Sequence, residues 1–360
     1  MNNLDLVLSN EERAVFALRG LYKQFGYVQY KMSKFEEYDL YAKNKNFLVS
    51  DNVITFTDTD GKLLALKPDV TLSIIKNDKD GEGVKKLYYN EHVYRVSKGT
   101  KSFKEIMQVG LECLGDIDEY SVSEVLFLAS KSLDYFSDKN VLDVSHLGLV
   151  KGVMEYAGLS SDGVDKVVKN LAQKNAEGVK AVCREENVDE ERTELLTKLV
   201  TVYGDCRTVL PQLSIFEVND KAKQAIANLK NILVGLMGGM DKLRIDFSVT
   251  SDGNYYNGVV FKGFVSGIPT AILSGGQYDN LMAKMGKNSR AIGFAVYLDD
   301  IERLTEKNSD DDVDVAIQYD SGTPISEITK AVNKAVQDGN SVIVERNIPQ
   351  TVKYKKIIKI

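Results

Sequence analysis

Residues 105–115, EIMQVGLECLG, alternate between two kinds of side chain. Met107, Val109, Leu111 and Cys113 take one set of positions, and Gln108, Gly110 and Glu112 take the other. Side chains along a strand point to opposite faces in turn, so one face of this strand belongs to an apolar core. The other face carries an amide, a bare glycine and a carboxylate. Ahead of it, Leu87–Val96 (LYYNEHVYRV) reads as a second strand, with the polar run Ser97–Lys104 as the loop between them. These two strands call for a sheet, and the rest of the chain must cover it.

The flanking pattern supplies that cover. Ser9 and Glu12 form a capping box opening a helix, with an apolar stripe at Val15, Leu18, Leu21 and Phe25 and a stop at Gly26. Tyr27–Met32 is strand-like. Val53–Thr57 and Leu63–Leu66 read as short strands joined by the turn Asp58–Gly61. Lys67–Pro68–Asp69 opens a helix through Ile75, with Pro68 in its first turn. Another helix is expected at about 121–137, and residues 150–240 look helical throughout. Strand signals return at Leu243–Val249, Tyr255–Val265 and Thr270–Leu273. A Gly–Gly turn and a short helix, Tyr278–Met285, follow, then a strand–helix pair over Arg290–Leu304. The polar run Glu306–Asp312 reads as a linker to a small β-α-β-β module. At about 150 residues per domain, 360 residues suggest two domains or three. The fold class read from this order is α+β: an antiparallel sheet flanked by helices, interrupted by a helical insert at about 150–240.

Composition removes several function classes. With 46 Lys+Arg against 52 Asp+Glu, the chain has no overall basic footprint for nucleic acid. Only two histidines, His92 and His146, and three scattered cysteines, Cys113, Cys183 and Cys206, argue against a metal centre or a disulfide framework. The cysteine usage fits a reducing cytoplasm. No apolar run reaches the roughly 18 residues that cross a bilayer, and the N-terminus lacks the pattern of a secretory signal. No metal or cofactor is expected.

Gln108 and Glu112, on one face with Gly110 between them, could grip an amino group: the carboxylate pairs with the cation and the amide fixes its direction. Alternation alone also allows an ordinary solvent-facing strand. Arg95, at a strand end, suits bidentate capture of a carboxylate or phosphate; a surface ion pair with Glu91 is the other reading. Asp69 and Thr71 near a helix start could bind a ligand or merely cap the helix. In GNYYNG (Gly253–Gly258), consecutive strand residues would point oppositely, so at most one tyrosine would line a given pocket. SGGQYD (Ser274–Asp279) lacks a phosphate-loop pattern and reads as a tight strand–helix turn. His92 is expected to be a packed core or interface residue rather than a base, and Asp310–Asp312 to be solvated linker.

Taken in order, LYKQFGYVQYKMSKFEE, VYRVSKGTKSFKEIMQVGLECLG, GNYYNGVVF and AIGFAVYLDDIERL resemble motif 1, motif 2, the histidine-recognition tyrosine segment and motif 3 of histidyl-tRNA synthetase and its paralogues. The resemblance covers roughly residues 10–305 and implies the class II aminoacyl-tRNA synthetase fold, with a domain at 1–305 and a shortened α/β module at 313–360. It places Asp69, Thr71, Gln108 and Glu112 at the α-amino end of a bound amino acid. Tyr255, Tyr256 and Tyr278 would wall the histidine side chain, and Arg95 would contact the α-phosphate and carboxylate. The chain also departs from the synthetases. Ser251 stands where they carry an activating arginine, Asp300 where an arginine clamps ATP, and Ser33 where motif 1 has proline. Losing one preorganised donor commonly costs about 10²–10³ in rate, and losing an arginine clamp on phosphate about 10³–10⁵. Adenylate formation is therefore not expected, and without the synthetases' larger anticodon-binding module neither is specific tRNA docking.

An amino-acid pocket kept while activation is lost resembles the regulatory subunits of ATP phosphoribosyltransferase, non-catalytic members of this wider family. That resemblance implies a short-form catalytic subunit as partner, L-histidine as feedback effector, and a homodimer within a hetero-oligomer. The alternative is an active or degenerate synthetase-like protein that binds histidine, ATP or tRNA.

Overall fold

The computed structural model describes residues 8–45, 48, 53–79, 83–96, 102–236, 241–250, 255–301 and 311–360. They fall into two compact units, one within Glu11–Leu304 and a smaller one that includes Thr305–Ile360.

The large unit begins with α1 (Asn10–Gln24), whose Ala14, Val15, Leu18 and Tyr22 are buried, and Gly26 ends the turn with φ 82°. There follow β1 (Val28–Gln29), β2 (Phe35–Glu37), α2 (Tyr38–Lys43), β3 (Thr55–Thr57), β4 (Leu63–Leu66) and α3 (Thr71–Asn77). The two long strands are β5 (Val84–Val96) and β6 (Phe103–Gly115). After them come α4 (Glu119–Phe136), β7 (Asn140–His146), α5 (Leu147–Ala157), α6 (Ser161–Ala172), α7 (Ala176–Glu185) and α8 (Glu190–Thr201). β8 (Tyr203–Asp205), α9 (Cys206–Val209), a 3₁₀ turn (Leu210–Phe216) and α10 (Asp220–Val234) complete the insert. The unit closes with β9 (Leu243–Asp246), β10 (Val259–Val265), β11 (Leu273–Gln277), α11 (Asp279–Lys284) and β12 (Arg290–Tyr297).

Nine strands form one sheet in the order β1-β5-β6-β12-β11-β10-β7-β9-β8. Only β1 with β5 and β7 with β9 pair in parallel. A small antiparallel sheet, β2-β4-β3, stands apart. Val109, Leu111 and Cys113 on one face of the main sheet join the core made with α1, α4 and the insert helices. A second apolar cluster, including Val70, Leu72, Ile75, Tyr89, Tyr278 and Leu281, lies with α3 and α11 on the opposite face. The insert helices start where the sequence supplies caps: Ser160, Asn175, Asp189 and Asn219 each accept a backbone N–H three residues on. Such caps stabilise a helix by about 1 kcal/mol each.

The small unit is a parallel sheet, β14-β13-β15, of β13 (Val313–Gln318), β14 (Val342–Glu345) and β15 (Tyr354–Lys359), with α12 (Ile325–Gln337) between the first two. Val315, Ile317 and Ala335 are its buried core.

The α+β reading and the β5–β6 pair hold, and several local expectations do not. The insert is not helical throughout, because β8 pairs antiparallel with β9, turning at Gly204 with φ 133°. β7 had no counterpart in the sequence reading, although its Leu142 and Val144 alternate into the core. Ser274–Gln277 is a strand interior rather than a turn. Its glycines answer to crowding: a Cβ on Gly275 would lie 2.4 Å from the Gly293 carbonyl, and one on Gly276 2.8 Å from the Tyr256 ring. Most of the loop expected at Ser97–Lys104, and the helix expected after β12, lie outside the described residues.

Candidate functional site

The β5–β6–β12 stretch of the sheet builds the site. In register, Glu112 lies beside Gly293, Gly110 beside Tyr89 and Ala295, and Gln108 beside Glu91 and Tyr297. Gln108 and Glu112 are each only 2% exposed, so the strand is not solvent-facing on this side. Bare backbone makes the burial of Glu112 possible: a Cβ on Gly293 would lie 1.7 Å from Glu112 Oε2. A Cβ on Gly110 would lie 2.5 Å from the Tyr89 hydroxyl, which packs on that glycine.

Glu112 is held from two sides. Thr71 Oγ1, at the start of α3, donates to Oε1 at 2.8 Å, and the Tyr278 hydroxyl, just before α11, donates to Oε2 at 2.6 Å. Burial nevertheless pushes the Glu112 carboxyl up to about 8, against the pull of these two hydrogen bonds and with a further push from Asp69. Gln108 Nε2 is buried without a hydrogen-bond partner. Leaving such a donor unpaired costs about 1–3 kcal/mol, which an accepting ligand atom would recover.

Asp69 accepts the Leu72 amide at 2.9 Å and so braces the start of α3. Burial raises its carboxyl, while the Leu72 amide and Arg95 oppose the rise. Arg95 Nε donates to the Pro68 carbonyl at 2.8 Å, and its guanidinium lies 6.0 Å from the Tyr297 ring centroid. The ion pair with Glu91 does not form. Lys67 takes Glu91 instead, Nζ to Oε2 at 2.5 Å, with the lysine side chain 1% exposed.

Tyr255 and Tyr256 precede β10 rather than lie in it, so strand alternation does not separate them. Their rings meet edge-on at 4.5 Å, and Tyr255 lies 6.0 Å from Tyr278. Burial raises the hydroxyls of Tyr89, Tyr255, Tyr256 and Tyr278 well above the ordinary tyrosine range. All eight residues anticipated from the sequence therefore lie around one stretch of sheet. Tyr89, Lys67 and Gly293 were missed, because each acts through a cross-strand or loop neighbour that the pattern of one strand does not reveal.

Other expectations divide. His92 is not a core residue of this chain: its side chain is 44% exposed, 3.8 Å from Glu105. His146 is packed, caps α5 through Gly148 N, and burial lowers its pKa to about 4. All three cysteines are buried and free. Among the described residues there is no group of acids, histidines and cysteines able to hold a metal, and no helix is long and apolar enough to cross a membrane. Asp300 follows β12 and is half-buried, Ser33 is exposed, and Ser251 lies outside the described residues.

A mostly antiparallel sheet flanked by helices and carrying a buried set of polar groups on one face defines a protein of the class II aminoacyl-tRNA synthetase fold. A family model described as histidyl-tRNA synthetase matches residues 7–301, and the chain belongs to that family. Within it, the resemblance to regulatory subunits is borne out. The chain is 26% identical over 357 residues to the ATP phosphoribosyltransferase regulatory subunit of Ruminiclostridium cellulolyticum, covering 95% of this chain and 85% of the relative. Its fold matches the crystal structure of an ATP phosphoribosyltransferase regulatory subunit/histidyl-tRNA synthetase from Bacillus halodurans with a TM-score of 0.75 at 22% identity, over 97% of this chain and 93% of that one. It also matches a chain of the ATP phosphoribosyl transferase complex from Thermotoga maritima with a TM-score of 0.64 at 17% identity, over 81% of this chain and 98% of that one.

Proposed function

We propose that this chain is a non-catalytic regulatory subunit of ATP phosphoribosyltransferase, acting in histidine biosynthesis in the cytoplasm. It binds L-histidine, is required for the activity of the short-form catalytic subunit, and carries feedback inhibition to it. The observation that carries the reading is the buried Glu112, set on bare backbone between Thr71 and Tyr278 with the unpaired amide of Gln108 four residues away on the same strand face. An α-ammonium is the group that such a carboxyl accommodates once ionised. Asp69, Thr71, Gln108 and Glu112 take the amino end, Arg95 takes the carboxylate, and Tyr255, Tyr256 and Tyr278 wall the side chain. The names of the relatives support the choice of partner. Asp300, where the synthetases carry a phosphate-clamping arginine, supports a role without adenylate formation. In this reading residues 1–305 are the synthetase-like domain and 313–360 a shortened module, and the subunit forms a homodimer within a hetero-oligomer. Histidine shifts a two-state assembly by binding one state more tightly, and a coupling of about 1–3 kcal/mol suffices.

The test is a phosphoribosyltransferase assay with the short catalytic subunit from the same genome. Activity on mixing that histidine suppresses supports the reading. If mixing changes nothing while histidine-dependent ATP–pyrophosphate exchange appears, the chain is a synthetase.

A further inference from the structure

Lys67 and Glu91 form a buried ion pair that the proposed binding chemistry leaves unused. The lysine side chain is 1% exposed and the glutamate side chain 17%, with Nζ 2.5 Å from Oε2. Removing two charges from water costs more than their attraction returns unless the geometry is very good, and a well-packed apolar pair is often as stable or more so. Stability alone is therefore a poor reason for this pair, and its surroundings offer a better one.

Lys67 is where three chain segments meet. Its N–H donates to the Lys34 carbonyl at 3.2 Å, and its carbonyl accepts from Tyr94 N at 2.9 Å. Glu91 Oε1 accepts from Met32 N at 3.4 Å. The next residues of the same segment are those that reach the site. The Pro68 carbonyl holds Arg95, Asp69 braces the start of α3, and Thr71 donates to Glu112. On the other side, Glu91 sits directly across from Gln108 in the β5–β6 register. The pair also occupies the carboxylate that could otherwise neutralise Arg95.

We infer that Lys67 and Glu91 are positioning residues, which fix the Pro68–Thr71 segment against β5 and thereby set the spacing between Arg95 and Glu112 that an amino acid must match. This rests on the reading of the site as an L-histidine pocket. The ligand itself does not touch the pair, and its contribution passes through Arg95, Asp69 and Thr71.

The experiment is calorimetric titration of the full chain with L-histidine, with thermal melting alongside. Wild-type protein that does not bind histidine overturns the pocket reading itself, whatever the pair does. Given wild-type binding, Lys67→Met/Glu91→Leu should melt within a few degrees of wild type or higher, yet bind histidine about tenfold more weakly or worse, as displaced supporting contacts do. Lys67→Arg, which keeps the charge, should bind near the wild-type affinity. Glu91→Gln keeps the side-chain shape but leaves the buried Lys67 without its carboxylate, so it should lower both the melting temperature and the affinity. The proposal is overturned if the double variant binds as wild type does. It is also overturned if the double variant loses affinity only together with its melting temperature.

Discussion

Replacing Glu112 by glutamine should make the unliganded protein more stable, and more so as the pH rises. The Glu112 carboxyl is pushed from 4.5 up to about 8 in the fold, chiefly by burial. A folded-state value above the unfolded one means full stability below about pH 4.5, with a progressive loss as the pH rises through about 8. At about 1.4 kcal/mol per tenfold in ionisation, the burden is on the order of 1 kcal/mol at pH 5 and on the order of 3–5 kcal/mol near pH 8. Glutamine has the same shape, can accept from one of the two hydroxyls Thr71 and Tyr278 and donate to the other, and never ionises. Titrating groups that do not interact with Glu112 are shared by both proteins and drop out of the difference, and the coupled Asp69 makes a smaller contribution than burial does. A gap of about 3 kcal/mol between the two pH values corresponds to roughly 5–10 °C in melting temperature for a unit of this size. The assay is paired thermal melts of wild type and Glu112→Gln from pH 5 to pH 8. Curves that stay parallel across this range would refute the argument. With histidine at about 100 times Kd, wild type should gain about 2.7 kcal/mol, and the variant should gain almost none.

Gly293→Ala places a methyl 1.7 Å from Glu112 Oε2, so it should abolish the histidine-induced thermal shift and destabilise by about 1–3 kcal/mol, measured by denaturant melts. Gln108→Ala removes an unpaired buried donor, so it should weaken histidine binding about tenfold in calorimetry while leaving the unliganded melting temperature unchanged or slightly higher. His146 has its pKa lowered from 6.5 to about 4 by burial, so its contribution is present above pH 6.5 and lost as the pH falls toward 4. His146→Asn keeps an acceptor for Gly148 N and should flatten that loss in melts between pH 7 and pH 4.

The alternation in residues 107–113 was legible because the two faces of β6 have different fates. One enters the core with α1 and α4, and the other carries the polar site. The insert was legible as a helical stretch, but the starts of its separate helices were not read, although each is marked by a cap that acts within three residues. What failed was non-local. Ser274–Gln277 looks like a turn because two adjacent glycines usually make one. Here they are strand positions thinned to let Phe261, Phe294 and Tyr256 pack against the backbone. β7 pairs with β10 and β9, and β8 with β9, partners that lie from some forty to more than a hundred residues along the chain.

The site follows the same division, and it shows where chemistry can hide from a linear reading. Glu112 and Gln108 lie on one strand, so their shared face is visible in a stretch of five residues. The partners that give Glu112 its character come from elsewhere: Thr71 from the start of α3, Tyr278 from beside α11, and Gly293 from β12. Arg95 and Glu91, four residues apart on one face, invited a pairing that the fold does not make. Lys67 is absent from any local pattern with Glu91, yet it reaches that carboxylate first because β4 delivers it to the floor of the sheet. A charge is assigned by what the fold brings nearest, and in this pocket that assignment leaves Arg95 without a carboxylate ion-pair partner in β5 and Glu112 without a cation. A zwitterion would supply both partners: a carboxylate for Arg95, and an ammonium that favours ionisation of the Glu112 carboxyl, which burial holds largely neutral without it.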